Sequence, residues 1–151
     1  MDKSCLIISH IWGICKRFWK KSAMNNEDNK DYAASRGEYL NGILLANYLG
    51  FTFVDAAEGV RFSGEGVFED ERTNFFLGER LYGLKNAVIP GFYGADDAGN
   101  IHTFSRGGSD VTGAIVARAV KADLYENWTD VPGFLIADPG IIDKPKKIDV
   151  M

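Results

Sequence analysis

The chain has 151 residues, 46% of them apolar and 25% charged, with a net charge of −4. That is the length of one domain with enough apolar residues for a core, which excludes a chain disordered throughout. The acidic balance argues against nucleic acid as a partner, since phosphate backbones call for clustered Lys and Arg, but it leaves a small anionic ligand open.

The N-terminal stretch "CLIISHIWGIC" is apolar. It falls short of the roughly 18 residues that span a bilayer, so no membrane association is expected. His10 interrupts it, its basic residues mostly follow it, and no small-residue cleavage site stands out, which argues against a targeting signal. Residues 7–21 read as a helix with a basic end. Cys5 and Cys15 are spaced for neither zinc nor a CxxC redox pair and read as free thiols of a reducing, cytoplasmic compartment.

Residues 22–31, "SAMNNEDNKD", are polar and turn-prone and predict a loop. From Arg36 the pattern turns helical. Tyr39, Leu40, Ile43, Leu44 and Tyr48 recur at spacings of three and four, with Gly50 as a C-terminal stop. Ser35 followed by Glu38 has the form of a capping box. "FTFVDAA" predicts a strand, 70–84 a helix, and "NAVIPGF" a buried strand. "YGADDAGNIHTF" predicts a hairpin turning at Asp97–Ala98–Gly99–Asn100. A helix from Ser109 to about Lys121 and a strand over "DLYENWTD" follow. The GxG of "RFSGEGVFED" lacks the strand–turn–helix setting of a dinucleotide fingerprint. The alternation predicts an α/β layered domain with a largely parallel sheet, its ligands beyond the carboxyl ends of strands.

The informative strand end is "FSRGGSDVTGAI", Phe104–Ile115. Two glycines permit close backbone approach and positive φ. The helix start behind them offers unpaired N–H groups and partial positive charge. Ser109 and Asp110 fit either an N-cap with a dipole-complementing acid or a ligand site. Arg106 fits the first option poorly, because the helix dipole repels it; a carboxylate or phosphate bound between the two positive groups would explain it. Glu38 and Thr129–Asp130 each have a plain alternative, as a capping-box member and as a turn. His10 and His102 read as structural or exposed, Trp128 as a packing residue, and Glu69, Asp70, Glu71, Asp96 and Asp97 as solvated surface with no metal cluster. The Walker pattern and the protein-kinase signatures are absent.

The segments "SRGEYLNGILLANYLG", "VIPGFYG", "TFSRGGSDVTGAIVARAVKADLYENWTDVPG" and the following "DP" resemble the aspartokinases of the amino acid kinase family, in the family's order, over residues 31–145. The resemblance implies a three-layer α/β/α sandwich with a mainly parallel sheet. It implies transfer of the γ-phosphoryl of ATP, with Mg2+, to the side-chain carboxylate of L-aspartate. Carried over by motif, Glu38 contacts the substrate's amino group, Arg106 pairs with a substrate carboxylate, and Ser109 lies against the same ligand. Asp110 organises the transfer site, and Thr129 and Asp130 serve the nucleotide. By the same comparison residues 1–30 are an unmatched leader. Residues 31–151 are the central and C-terminal part of the catalytic domain, without regulatory ACT domains.

Nothing in residues 1–34 has the family's K-x-G-G-[ST]-S form, and the family's Asp-Pro-Arg is Asp138–Pro139–Gly140 here. A tyrosine of the family has Leu135 in its place. These departures predict weak kinase activity or none for the chain alone, with an aspartate-binding module as the alternative. They leave a homo-oligomer or a complementing chain open as partner.

Overall fold

The computed structural model describes residues 29–105, 107–128, 141 and 146. Its elements in chain order are α1 (Asn29–Leu49), β1 (Thr52–Phe53), a 3-10 turn (Ala56–Glu58), α2 (Asp70–Leu81), β2 (Ala87–Val88), β3 (Tyr93–Ala95), β4 (Ile101–Thr103) and α3 (Gly108–Ala119). The predicted alternation of helix and strand is thus observed. The N-terminal helix expected over 7–21 lies outside the described residues.

Helix α1 begins seven residues ahead of the predicted Arg36, inside the stretch expected to be a loop. Lys30, Ala33 and Ala34 tolerate helix well, and Asp31 in the first turn complements the helix dipole. Ser35 is therefore interior, not a cap. It is fully buried, and its hydroxyl donates to the Tyr32 carbonyl at 2.9 Å. The capping box with Glu38 does not form. The buried face is Ser35, Arg36, Gly42, Ile43 and Ala46, a helical spacing. The helix stops as expected at Gly50, whose φ is 69°. Gly50 N–H reaches the Asn47 carbonyl and Phe51 N–H the Ala46 carbonyl at 2.9 Å, the two bonds of a Schellman end.

β1 pairs in parallel with β2, Thr52 opposite Ala87 and Phe53 opposite Val88, and Val54 N–H extends the ladder to the Val88 carbonyl at 3.0 Å. β3 and β4 form the predicted hairpin, with Tyr93 opposite Thr103 and Ala95 opposite Ile101. Its turn closes through Gly99 N–H to the Asp96 carbonyl, with Gly99 at φ 82°. Arg61 bridges Ala95 in parallel beside the hairpin. α1 packs on β1, β2 and β4, while α2 packs on α3. Val54, Ala56, Val60, Phe62, Leu77, Leu81 and Tyr93 form the core.

Two expectations about the C-terminal part change. Residues 123–128 of the predicted strand "DLYENWTD" join no ladder among the described residues. Trp128, expected to pack, is 89% exposed. Polar Asp123 and Glu126 leave this stretch without the apolar alternation that seats a strand on a core.

Candidate ligand site

The loop from β4 leads to Gly107, the N-cap of α3, in the left-handed region at φ 64°. Glycine adopts that conformation without the Cβ penalty. Ser109 and Asp110 follow in the first turn, both exposed. Ser109 is thus a helical residue and not the cap, so the capping alternative for it is removed. Gly91 brings the β2–β3 connection against it: a Cβ there would lie 3.0 Å from Ser109 Cα.

Glu38 comes from the other side. It is exposed on α1 and forms no hydrogen bond or ion pair among the described residues. Glu38 and Ser109 line one cleft of about 520 Å³, between α1, the end of β2 with Pro90 and Gly91, and α3. Ser109 and Asp110 also line an adjoining hollow of about 400 Å³ with Phe92, Thr103 and Gly108. The cleft lies beyond the carboxyl end of β2, where α/β sheets place ligands. Arg106, Thr129 and Asp130 lie outside the described residues.

The scaffold under Glu38 is an aromatic cage that sequence reasoning missed. The Arg36 guanidinium sits 4.4 Å from the Tyr32 ring centre, 4.5 Å from that of Tyr39 and 5.4 Å from that of Tyr93. Its Nη2 donates to Ser35 Oγ at 2.9 Å. Such a buried cation over ring faces anchors the helix turn that carries Glu38. Tyr93 donates its hydroxyl to Asp55 Oδ1 at 2.6 Å. Burial first, then the neighbouring Asp55 carboxylate, push the Tyr93 phenol well above its ordinary range. The signal for the cage was a tyrosine on either side of an arginine at helical spacing.

A second polar cluster corrects the surface reading of Asp96. This carboxylate is 4% exposed. It accepts from Asn100 N–H at 2.8 Å and from Asn100 Nδ2 at 2.9 Å, with His102 Nε2 at 3.3 Å. The Asn100 side-chain bond foremost, assisted by the Asn100 backbone N–H and His102, lowers its pKa to about 2. Asp97 is exposed as expected and pairs with Arg72 at 2.7 Å; Asp70 pairs with Arg118. Among the described residues no group of three or more His, Cys, Asp or Glu comes together to hold a metal ion. Magnesium in phosphoryl transfer takes one or two carboxylates and otherwise phosphate oxygens and water, so its absence from such a cage is neutral. No described helix is long and apolar enough to cross a membrane.

Helices packed on strands, with Glu38 of one helix and Ser109 of another lining one cleft between them, define an α/β domain. The chain belongs to the amino acid kinase family, whose model matches residues 7–151. Aspartokinase 3 of Bacillus subtilis is 37% identical over 133 residues, which are 82% of this chain and 29% of that protein. The crystal structure of Clostridium acetobutylicum aspartate kinase is similar at 49% identity and a TM-score of 0.72, over 97% of this chain and 31% of that one. Aspartokinase III of E. coli, solved in complex with aspartate and ADP, superposes at a TM-score of 0.77 with 25% identity, over 98% of this chain and 36% of its own. The chain therefore spans about a third of the length of these relatives and shares their α/β sandwich fold.

Proposed function

We propose that this chain carries the acceptor side of an aspartokinase site. In that reaction ATP, as its magnesium complex, phosphorylates the side-chain carboxylate of L-aspartate to 4-phospho-L-aspartate, the first step towards lysine, threonine and methionine, in the cytoplasm. The observation that carries the reading is the meeting of Glu38 and Ser109 in one cleft. The relative solved with aspartate and ADP supports the ligand pair.

In this reading Glu38 takes the substrate's ammonium and Arg106 its carboxylate, for which a planar guanidinium offers two parallel donors. Ser109 lies against the same ligand and Asp110 organises the transfer, while Thr129 and Asp130 serve the nucleotide. The substrate's own carboxylate is the nucleophile, so no Ser or Cys is consumed. The protein's contribution is positioning and neutralisation of charge.

Calorimetric titration with L-aspartate tests the reading. Saturable binding that Arg106→Ala abolishes is expected; a wild-type chain that takes up no aspartate refutes it. Binding without transfer is a second reading, favoured by Gly140 where the family has an arginine. A coupled ADP-release assay separates the two: turnover of about 1–100 per second establishes transfer.

A further inference from the structure

Phe92 has a φ of 62°, in the left-handed region that bulky side chains rarely adopt. Two hydrogen bonds hold it. Its N–H donates to Thr112 Oγ1 at 3.0 Å, and its carbonyl accepts from Phe104 N–H at 2.8 Å. Thr112 is 3% exposed, and its hydroxyl donates onward to the Gly108 carbonyl at 2.7 Å. A helix-internal threonine often bonds back to the carbonyl four residues earlier. Here the same oxygen also accepts from a different element, so one buried hydroxyl ties the entry of β3 to the first turn of α3.

The contact has no slack. A Cβ on Gly108 would lie 2.6 Å from Phe92 Cβ and 2.9 Å from Phe104 Cβ. Ser109 and Asp110 sit in the turn between Gly108 and Thr112. Where that turn stands against Phe92 determines where both side chains are presented.

We infer that Thr112 is a positioning residue: its hydroxyl holds Phe92 in the left-handed conformation and so sets the place of Ser109 and Asp110 at the mouth of the cleft. That the positioned ligand is aspartate rests on the function proposed above; the latch does not.

The test uses Thr112→Ser, Thr112→Ala and Thr112→Val in the full chain, with residue-resolved amide exchange and aspartate titration. The Ala and Val variants are expected to speed exchange at Phe92, Val111 and Thr112 about tenfold while leaving α1 and α2 protected. Aspartate affinity should fall by a similar factor, and Ser should stay within about threefold of wild type. Acceleration spread evenly over all three helices marks an ordinary stability role and overturns the proposal, as does a Ser variant that behaves like Val. If Ala and Val do not fold, wild type and Ser decide: a Phe92 amide that exchanges like an exposed loop overturns it, and protection in both supports it. A wild-type chain with the expected protection that binds no aspartate sinks the aspartokinase reading alone.

Discussion

Asp31, in the first turn of α1, accepts two hydrogen bonds from Thr103 at the end of β4: Thr103 N–H to Oδ2 and the Thr103 hydroxyl to Oδ1, both at 2.9 Å. The pair joins the helix that carries Glu38 to the strand that leads into α3. Asp31→Ala leaves both Thr103 donors without this acceptor. It should lower stability by about 1–3 kcal/mol, with Asp31→Asn, which keeps one acceptor oxygen, costing less. Urea unfolding measures this; an unchanged midpoint in the alanine variant contradicts it.

Gly108→Ala should be among the costlier single-methyl additions at the described glycines. The new Cβ meets Phe92 Cβ, Phe92 Cα and Phe104 Cβ at 2.6 to 2.9 Å, all of them close to rigid backbone. Overpacking of this kind costs about 1–3 kcal/mol. Gly64→Ala, where a Cβ meets nothing within 4 Å, serves as the control and should change the unfolding midpoint far less.

Asp96 gives the stability a dependence on acid. Its folded carboxyl titrates at about 2 against an ordinary 3.8. Between those values the unfolded chain binds more protons than the folded one, so stability rises with pH there. The contribution is fully present above 3.8 and is lost as the pH falls towards about 2. Urea midpoints taken across that window should fall more steeply for wild type than for Asp96→Asn. Parallel slopes would show that Asp96 is not the group responsible.

Glu38→Gln keeps the size of the side chain and removes the charge offered to an ammonium group. Since Glu38 is exposed and takes no part in a capping box, the free energy of unfolding should change by less than about 0.5 kcal/mol. Aspartate affinity should fall about tenfold, the scale of one charge-assisted hydrogen bond. Equal affinities for the two proteins would remove Glu38 from the site.

Local signals were legible where chain neighbours decide the outcome. Gly50 ends α1 and Gly99 turns the hairpin because each sits at a positive φ that glycine adopts freely. The periodic run Tyr39–Tyr48 is helical as its spacing predicts, although Leu44 and Tyr48 are exposed and only Ile43 of the periodic positions is buried. The start of α1 was not legible. Ser35 and Glu38 have capping-box spacing, yet Asp31 finds Thr103 far along the chain, and that bond together with the Arg36 cage draws residues 29–35 into the helix.

The motifs "SRGE", "RGGSD" and "WTDVPG", in that order, carried the resemblance to the aspartokinases and, through it, the expected roles of Glu38, Arg106, Ser109 and Asp110. Such motifs are short and contiguous, and their glycines and charges are readable without a fold. Only the tertiary structure decided that Glu38 and Ser109 share a cleft, that Asp96 is buried, and that Thr112 holds Phe92. Each of these depends on packing between elements far apart in sequence, where the partner of a hydrogen bond is chosen by the fold and not by the neighbouring residues.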